Sequence, residues 1–192
     1  MEKQRKVYKA TLDESGNMGV HAIGLVDEPA IMVDFVYLNK QGTRTELRKL
    51  DDEKRMMYGP VLIPDLHILR IDEKTGEEYY ITYDADTITR TAQLYMKQNQ
   101  HHNVTIQHEF AVNGCYVVES WVKQGADKST TLGFDLPDGT WFVGMYAEND
   151  EVWANVKAGN VKGFSIEGFY QMLSRQIDPD DEILRQIEEL IK

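Results

Sequence analysis

The segment VTIQHEFAVNGCYVVESWV, residues 104–122, combines a strand pattern, a tight turn and several titratable side chains. Apolar and polar residues alternate on both sides of Asn113-Gly114, which is the strongest short-range signal for a two-residue β-hairpin. Both central residues of a type I′ turn need positive φ angles, and Asn and Gly tolerate these best. The segment therefore predicts two antiparallel strands joined at this turn.

The register of that hairpin brings two titratable side chains together. With Asn113-Gly114 as the loop, Val112 pairs with Cys115, and His108 then lies directly opposite Glu119 on the same face. A carboxylate beside an imidazole can fix the tautomer of the ring and stabilise its charged form, as a general base requires. The register predicts Glu119 as the partner of His108.

The rest of the chain alternates short apolar stretches with turn residues, which predicts a strand-rich, mixed α+β chain of nine to eleven strands and three helices. Outside the hairpin, strands are predicted at residues 6–12, 20–26, 34–38, 58–63, 67–71, 78–83, 133–136, 140–147 and 161–170. Helices are predicted at residues 85–98, 151–158 and 180–191. The charged stretch 39–55 lacks apolar periodicity and is predicted to be an exposed, mobile loop.

Composition limits the function classes. The chain has 192 residues, of which 42% are apolar, so it can form one large domain with a sizeable core. Its net charge of -11 argues against a nucleic-acid binder, whose affinity comes from neutralising phosphates. A single cysteine, Cys115, excludes an internal disulfide and a Cys-rich zinc site. There is no apolar run long enough to span a membrane, and we expect a soluble intracellular protein.

A second segment, VKGFSIEGFY at residues 161–170, carries a candidate nucleophile. Strand alternation sends Ser165 and Glu167 to one face and Phe164 and Ile166 to the other. The apolar face would enter the core and leave the serine hydroxyl accessible. Because a serine in a strand is structural far more often than catalytic, the histidine with a carboxylate partner is what makes a serine hydrolase plausible.

Several ordered blocks of the sequence resemble the XkdF-type phage serine proteases, which belong to the prohead (capsid maturation) proteases with the herpesvirus assemblin fold. The resemblance covers about residues 19–170. It rests on these blocks: HAIGLVDEPAI (21–31), YGPVLIPD (58–65), GEEYYITYDADTI (76–88), VTIQHE (104–109), VVESW (117–121), LGFDLPDGTWFVGM (132–145), VWANVKAG (152–159) and VKGFSIEGFY (161–170).

The resemblance implies a strand-rich mixed β-barrel flanked by helices, with a histidine preceding a serine and both on strands. It makes His108 in QHE the general base and Ser165 in GFSIEGF the nucleophile. Related enzymes use a histidine or an acid after the serine as the third member, but no histidine follows Ser165 here. The hairpin register favours Glu119 in that role; Glu167, which interrupts the related serine pattern, is the second choice and Glu109, on the opposite side of its strand, the last.

The resemblance further implies a serine protease domain at residues 1–173, followed by an amphipathic helix within 174–192. Its function would be that of a serine endopeptidase of capsid maturation, which cleaves scaffold and major capsid protein segments and itself inside the prohead, in the host cytoplasm. We expect a homo-oligomer without membrane or nucleic-acid partners. The alternatives are a non-proteolytic structural or scaffold-associated head protein on the same fold and, less favoured, a hydrolase of small substrates.

No cofactor or metal ion is expected. His101 and His102 could join His108 in a metal site, but they follow a predicted helix and lie across a turn from the strand that carries His108. A polar helix end, where the helix dipole favours a positively charged imidazole, explains the pair better.

Overall fold

The part of the chain described by the structure, a computed structural model, comprises residues 5–13, 18–33, 36–39, 53–72 and 74–174. Most of the predicted loop 39–55 lies outside these residues. Its two ends do not, and both are in strands, since Asn39 ends one strand and residues 53–55 begin the next. The predicted helix 180–191 also lies outside the described residues, so the division of the chain near residue 173 stays a prediction.

The described strands form three four-stranded sheets. Sheet A comprises β1 (Lys6–Thr11), β5 (Ile68–Ile71), β6 (Glu78–Thr82) and β12 (Gln171–Ser174). Sheet B comprises β2 (Gly19–Val26), β7 (Val104–Ile106), β8 (Phe110–Val112) and β11 (Gly163–Phe169). Sheet C comprises β3 (Val36–Asn39), β4 (Glu53–Leu62), β9 (Cys115–Val122) and β10 (Trp141–Ala147). The strand orders are β12-β1-β6-β5 in sheet A, β11-β2-β7-β8 in sheet B and β3-β4-β10-β9 in sheet C.

The helices of the described residues begin at capping residues. They are α1 (Ala85–Lys97), α2 (Lys128–Thr131) and α3 (Asp150–Ala158), with a short 3₁₀ turn at Gln100–His102. The Asp84 side chain accepts a hydrogen bond from the Thr87 backbone N–H and so starts α1. Asn149 caps α3 in the same way, and Gly159 ends it with a φ of 73°. The predicted helices at 85–98 and 151–158 are thereby confirmed, whereas α2 was not predicted. None of the described helices is long and apolar enough to cross a membrane.

The predicted mixed α+β, strand-rich class is confirmed, but the described strands do not close into a barrel. Their hydrogen bonds join them into three separate sheets. The predicted strand at 133–136 is also wrong, because the Gly133 and Phe134 N–H groups donate to Thr130 and Ser129 at the end of α2. In contrast, β12 pairs with β1 although no strand was predicted there.

The predicted hairpin around Asn113-Gly114 is wrong. The strand before the turn, β8, pairs with β7 in sheet B, whereas the strand after it, β9, pairs with β10 in sheet C. Burial explains the difference. Cys115 and Val117 of β9 are buried and lie opposite the buried Ala147 and Met145 of β10, whereas β8 is short and largely exposed. The free energy gained by burying this apolar surface outweighs the preference of Asn113-Gly114 for a hairpin turn.

Instead of a hairpin, Asn113-Gly114 forms a corner between sheets B and C. Gly114 has a φ of 75°, and its carbonyl accepts hydrogen bonds from the backbone N–H groups of Glu148 and Asn149. The Asn149 side chain donates in turn to the Asn113 carbonyl at 3.2 Å. The turn residues are therefore used to pack against the start of α3.

The core joins sheets B and C to the helix α1, which contacts β2, β9 and β10. Trp141 is fully buried, and its ring lies 5.3 Å from that of the equally buried Tyr95 on α1. Phe164 of β11 belongs to the same core and is 1% exposed. Burial of such a side chain contributes about 1.5–3 kcal/mol, so it fixes which face of β11 points inward and hence the position of Ser165.

Candidate active site

Ser165 lies on β11 at the edge of sheet B among the described strands. It pairs with Gly24 of the neighbouring strand β2, and Gly24 pairs in turn with Thr105 of β7. Directly opposed residues of adjacent strands point to the same face of the sheet. The Ser165 hydroxyl, the hydrogens of Gly24 and the Thr105 hydroxyl therefore share one face. The serine is 8% exposed.

The sequence predicts His108 on a strand. In the structure it lies instead in the turn that joins β7 to β8. The Glu109 N–H donates to the Ile106 carbonyl at 3.0 Å, and the Gln107 N–H donates to the Leu25 carbonyl of β2 at 3.0 Å. Gln107 and His108 have φ angles of 52° and 60°, values that cost a non-glycine residue about 1 kcal/mol or more. Such strain is kept where the position of a side chain matters, which favours a functional role for this turn.

The carboxylate partner of His108 is Glu167. The His108 Nδ1 atom lies 2.9 Å from Glu167 Oε1, and the Thr105 hydroxyl donates to the same oxygen. The other oxygen, Oε2, is 4.0 Å from Nε2 of His21. Because an ionised carboxylate can only accept hydrogen bonds, Nδ1 carries the proton of a neutral His108. Its Nε2 atom is then left with a free electron pair, as a general base requires.

The environment of Glu167 keeps it ionised. Burial alone would raise the pKa of this carboxyl, but the hydrogen bonds from Thr105 and His108 outweigh burial and hold the pKa below its ordinary value of 4.5. The side chain is 22% exposed, so its charge is only partly screened by water. Glu167 therefore remains a hydrogen-bond acceptor for His108 throughout the neutral pH range.

Gly24 lets the imidazole lie against the sheet next to Ser165. A Cβ atom at this position would be 2.9 Å from His108 Cε1, 3.0 Å from Nδ1 and 3.2 Å from the Thr105 hydroxyl. The imidazole therefore occupies the space that a side chain of residue 24 would fill. Since Ser165 is the direct cross-strand neighbour of Gly24, with Cβ positions about 5 Å apart, the serine side chain and the imidazole lie on the same face of sheet B.

A cavity of about 580 Å³ opens onto these groups. Ser165, His108 and Glu167 all line it, and its other walls come from the turn after β2 and from sheet A. Its volume lies in the range of ligand-binding clefts. The low exposure of Ser165 thus does not remove it from reach, because the residue lines this cavity.

Glu119, the first choice of sequence reasoning, is not the partner of His108. It lies on β9 in sheet C, where it accepts a hydrogen bond from the Tyr58 hydroxyl at 2.7 Å and one from the Lys128 ammonium group. The Lys128 ammonium also lies 4.0 Å from the centre of the Tyr58 ring. The predicted pairing failed because it depended on a hairpin that does not form. Glu109, ranked last, follows His108 in the turn, and the carboxylate at His108 is that of the second choice, Glu167.

Sequence reasoning missed Gly24 and Thr105. For Gly24 a signal existed, since a glycine inside an apolar strand often marks the close approach of another group. Thr105 gave no signal, because a threonine in a strand needs no functional explanation. Its hydroxyl becomes important only once the parallel pairing of β2 with β7 brings it to Glu167.

Replacement of Gly24 by Ala is expected to lower kcat about 10- to 100-fold, because the added methyl group would push the imidazole out of line and a displacement of about 1 Å can cost that much. The backbone of Gly24 has no positive φ, so alanine adds a steric contact without backbone strain. Steady-state peptide hydrolysis measures kcat, and circular dichroism with thermal unfolding verifies the fold. An unchanged kcat in a folded G24A variant would contradict the placement of His108.

The chain is similar to known phage proteins. The family described as "Putative phage serine protease XkdF" matches residues 44–174. The chain is 26% identical over 163 residues to the "Phage-like element PBSX protein XkdF" of Bacillus subtilis (strain 168), an alignment that covers 81% of this chain and 54% of that protein. It is 29% identical over 133 residues to the "Uncharacterized protein YqbD" of the same organism, covering 69% of this chain and 37% of the relative. The chain thus spans about half or less of the length of these relatives. No solved structure matches it.

Proposed function

This chain belongs to the XkdF family of phage proteins, and from that premise we propose that it is a serine endopeptidase of phage capsid maturation. Its substrates are segments of the scaffold and major capsid proteins, and it also cleaves itself. It works inside the prohead, in the host cytoplasm, as a homo-oligomer. These substrates and partners extend the family description of a phage serine protease to a defined step of head assembly.

The observation that carries the proposal is the arrangement around Gly24. Ser165 lies across the strand pair from this glycine, and the imidazole of His108 covers it from above, with Glu167 on Nδ1. A hydroxyl, a base and an orienting carboxylate on one face of a sheet are the three groups that serine hydrolysis needs. All three line the same cavity.

In the proposed reaction, Ser165 Oγ attacks the peptide carbonyl carbon while His108 Nε2 accepts the hydroxyl proton. His108 returns this proton to the leaving amine as the carbon–nitrogen bond breaks, which leaves an acyl-enzyme ester on Ser165. A water molecule, deprotonated by His108, then hydrolyses the ester and restores the serine. Glu167 keeps the ring in the productive tautomer and stabilises the imidazolium ion that forms in both steps.

We propose that the fold is a relative of the herpesvirus assemblin fold. The order of the site residues supports this relationship, since the histidine precedes the serine in the chain. Ser165 lies on a strand of sheet B, and His108 lies in a turn between two strands of the same sheet. The separation of the described strands into three sheets is a departure from the closed barrel of that fold.

The proposal is tested by assembling phage heads from the scaffold and capsid proteins of the phage that encodes this chain. Each assembly contains either the wild-type chain or the Ser165→Ala variant. With the wild type, we expect shortened scaffold and capsid proteins with defined new termini, which mass spectrometry identifies. With S165A these termini should be missing. Heads that mature identically with both chains would refute the protease role and favour the non-proteolytic head protein.

A further inference from the structure

One wall of the active-site cavity comes from sheet A and has a distinct chemistry. Arg70 of β5 and Tyr79 of β6 are direct cross-strand partners, so their side chains point to the same face. Both line the cavity together with Ser165 and His108. A peptide bound at Ser165 would therefore place a neighbouring side chain close to a guanidinium group and a phenol.

Arg70 has donors to spare. Its Nη1 atom donates to the carbonyl of Leu69 at 3.0 Å, which uses one of the five N–H groups of a guanidinium. Within the described part of the chain, no carboxylate lies within 4.0 Å of its nitrogen atoms, although six other Lys and Arg side chains form such pairs. Its charge and most of its donors remain available to a ligand.

The charge of Arg70 is felt inside the cavity. Burial raises the pKa of the Tyr83 hydroxyl to about 12, and the positive charge of Arg70 acts on it in the opposite direction. Tyr83 lines the same cavity, and its ring packs edge-on against Tyr170 with centroids 5.0 Å apart. The phenol groups of Tyr79 and Tyr83 add neutral donors to the cation, a set that suits a carboxylate.

Two carboxylates also line the cavity, and neither cancels Arg70. Glu167 is occupied by His108 and Thr105. Glu28 is exposed on the turn that follows β2, where water and salt screen its charge. Arg70 is half-buried, and of the described residues that line the cavity it is the only arginine or lysine. The balance at this wall therefore favours a negatively charged side chain.

We propose that Arg70 selects substrates in which an Asp or Glu residue adjoins the scissile bond. This inference rests on the proposed function of Ser165 and names the substrate class of the same site. The carboxylate of the substrate would accept hydrogen bonds from the guanidinium, while the cavity around it excludes water. A charge-assisted hydrogen bond of this kind accounts for about a 10- to 100-fold preference over the matching amide.

The test begins with a mixture of peptides from a digested proteome, incubated with the wild-type chain, and mass spectrometry of the new termini identifies the residues beside each cut. Two synthetic peptides that differ only by Glu or Gln at the enriched position then give a ratio of kcat/KM values. We expect a ratio of about 10 to 100 for the wild type and about 1 for Arg70→Gln, with Arg70→Lys in between. Arg70→Glu should prefer Lys at that position.

The control variant is Arg90→Gln, which removes an exposed arginine of α1 away from the cavity and should keep the wild-type ratio. A ratio near 1 in the wild type, or an undiminished ratio in R70Q, overturns the inference while the protease function stands. Failure of the wild-type chain both to cut any peptide and to react with a fluorophosphonate at Ser165 overturns the proposed function, and the inference with it. Labelling of Ser165 uses no peptide side chain, so the two failures are distinguishable.

Discussion

Replacement of Ser165 or His108 by Ala is expected to lower kcat/KM for peptide hydrolysis by about 10⁴- to 10⁶-fold, the loss that serine hydrolases suffer when the nucleophile or its base is removed. The nucleophile and the base act in the same step, so neither accelerates the reaction without the other. The double variant S165A/H108A should therefore be no slower than either single variant. The substrate is the peptide that the wild type cleaves best, and product formation is followed by mass spectrometry.

The His108 variant also reports on stability. His108 occupies a backbone conformation that glycine adopts without strain, so in His108→Gly the relief of that strain offsets part of the stability lost with the hydrogen bond to Glu167, and the variant should be inactive but folded. Loss of activity in a folded chain then reflects chemistry rather than unfolding. The two residues would not act together if the loss of kcat/KM in the double variant equalled the product of the two single losses. The same conclusion would follow from a His108 variant with near wild-type activity.

Replacement of Glu167 by Gln is expected to lower kcat by about 10²- to 10⁴-fold with little change in KM. The neutral amide can donate to Nδ1 and so favour the tautomer in which Nε2 carries the proton, and it cannot stabilise the imidazolium ion. Glu119→Gln is the matched control. It removes the same charge from a carboxylate that faces Tyr58 and Lys128, and it should change kcat by less than about threefold.

The pH dependence of the stability of the wild type is a second measurement of the role of Glu167 as the partner of His108. The pKa of Glu167 is held below 4.5, so the carboxylate keeps its charge as the pH falls until the solution is more acidic than this value. Protonation of Glu167 below that pH removes the acceptor of His108 and with it the stability that this hydrogen bond provides, which thermal unfolding as a function of pH measures. E167Q lacks this titration. A large effect of E119Q together with a small effect of E167Q would reverse the assignment.

The sequence was sufficient for the parts of the fold whose signals are local. The apolar spacing within residues 85–98 predicted α1 to within one residue. The alternation in β11 correctly buried Phe164 and turned Ser165 to the face of Glu167. Such elements depend on propensity and on which face is apolar, and both are written in the neighbouring residues.

The parts that failed depend on which strands meet. Asn113-Gly114 carries the residues of a hairpin turn but forms a corner, and the turn that does have two left-handed residues is formed by Gln107 and His108, which give no such signal. Pairing of β9 with β10 was decided by buried area across the core rather than by the turn. The choice of Glu119 was wrong for the same reason, because it was taken from the register of a hairpin that does not form.

The sequence predicts Glu167 as the second choice, and the structure confirms the reason for that choice. Glu167 shares its strand face with Ser165, and that relation needs only the alternation of one strand. Its contact with His108, however, depends on the parallel pairing of β2 with β7, which carries the turn of His108 to β11 across Gly24. Distant pairing of this kind cannot be read from local pattern, since no short segment contains both partners.

Ser165 is proposed to be a nucleophile that His108 activates, and reaction with a fluorophosphonate measures this activation directly. The reagent forms a covalent bond with an activated serine, and digestion followed by mass spectrometry locates it. We predict a single modified residue, Ser165, with labelling lost in H108A, strongly slowed in E167Q and nearly unchanged in E119Q. Modification of a different serine, or labelling of Ser165 at the same rate without His108, would contradict the account.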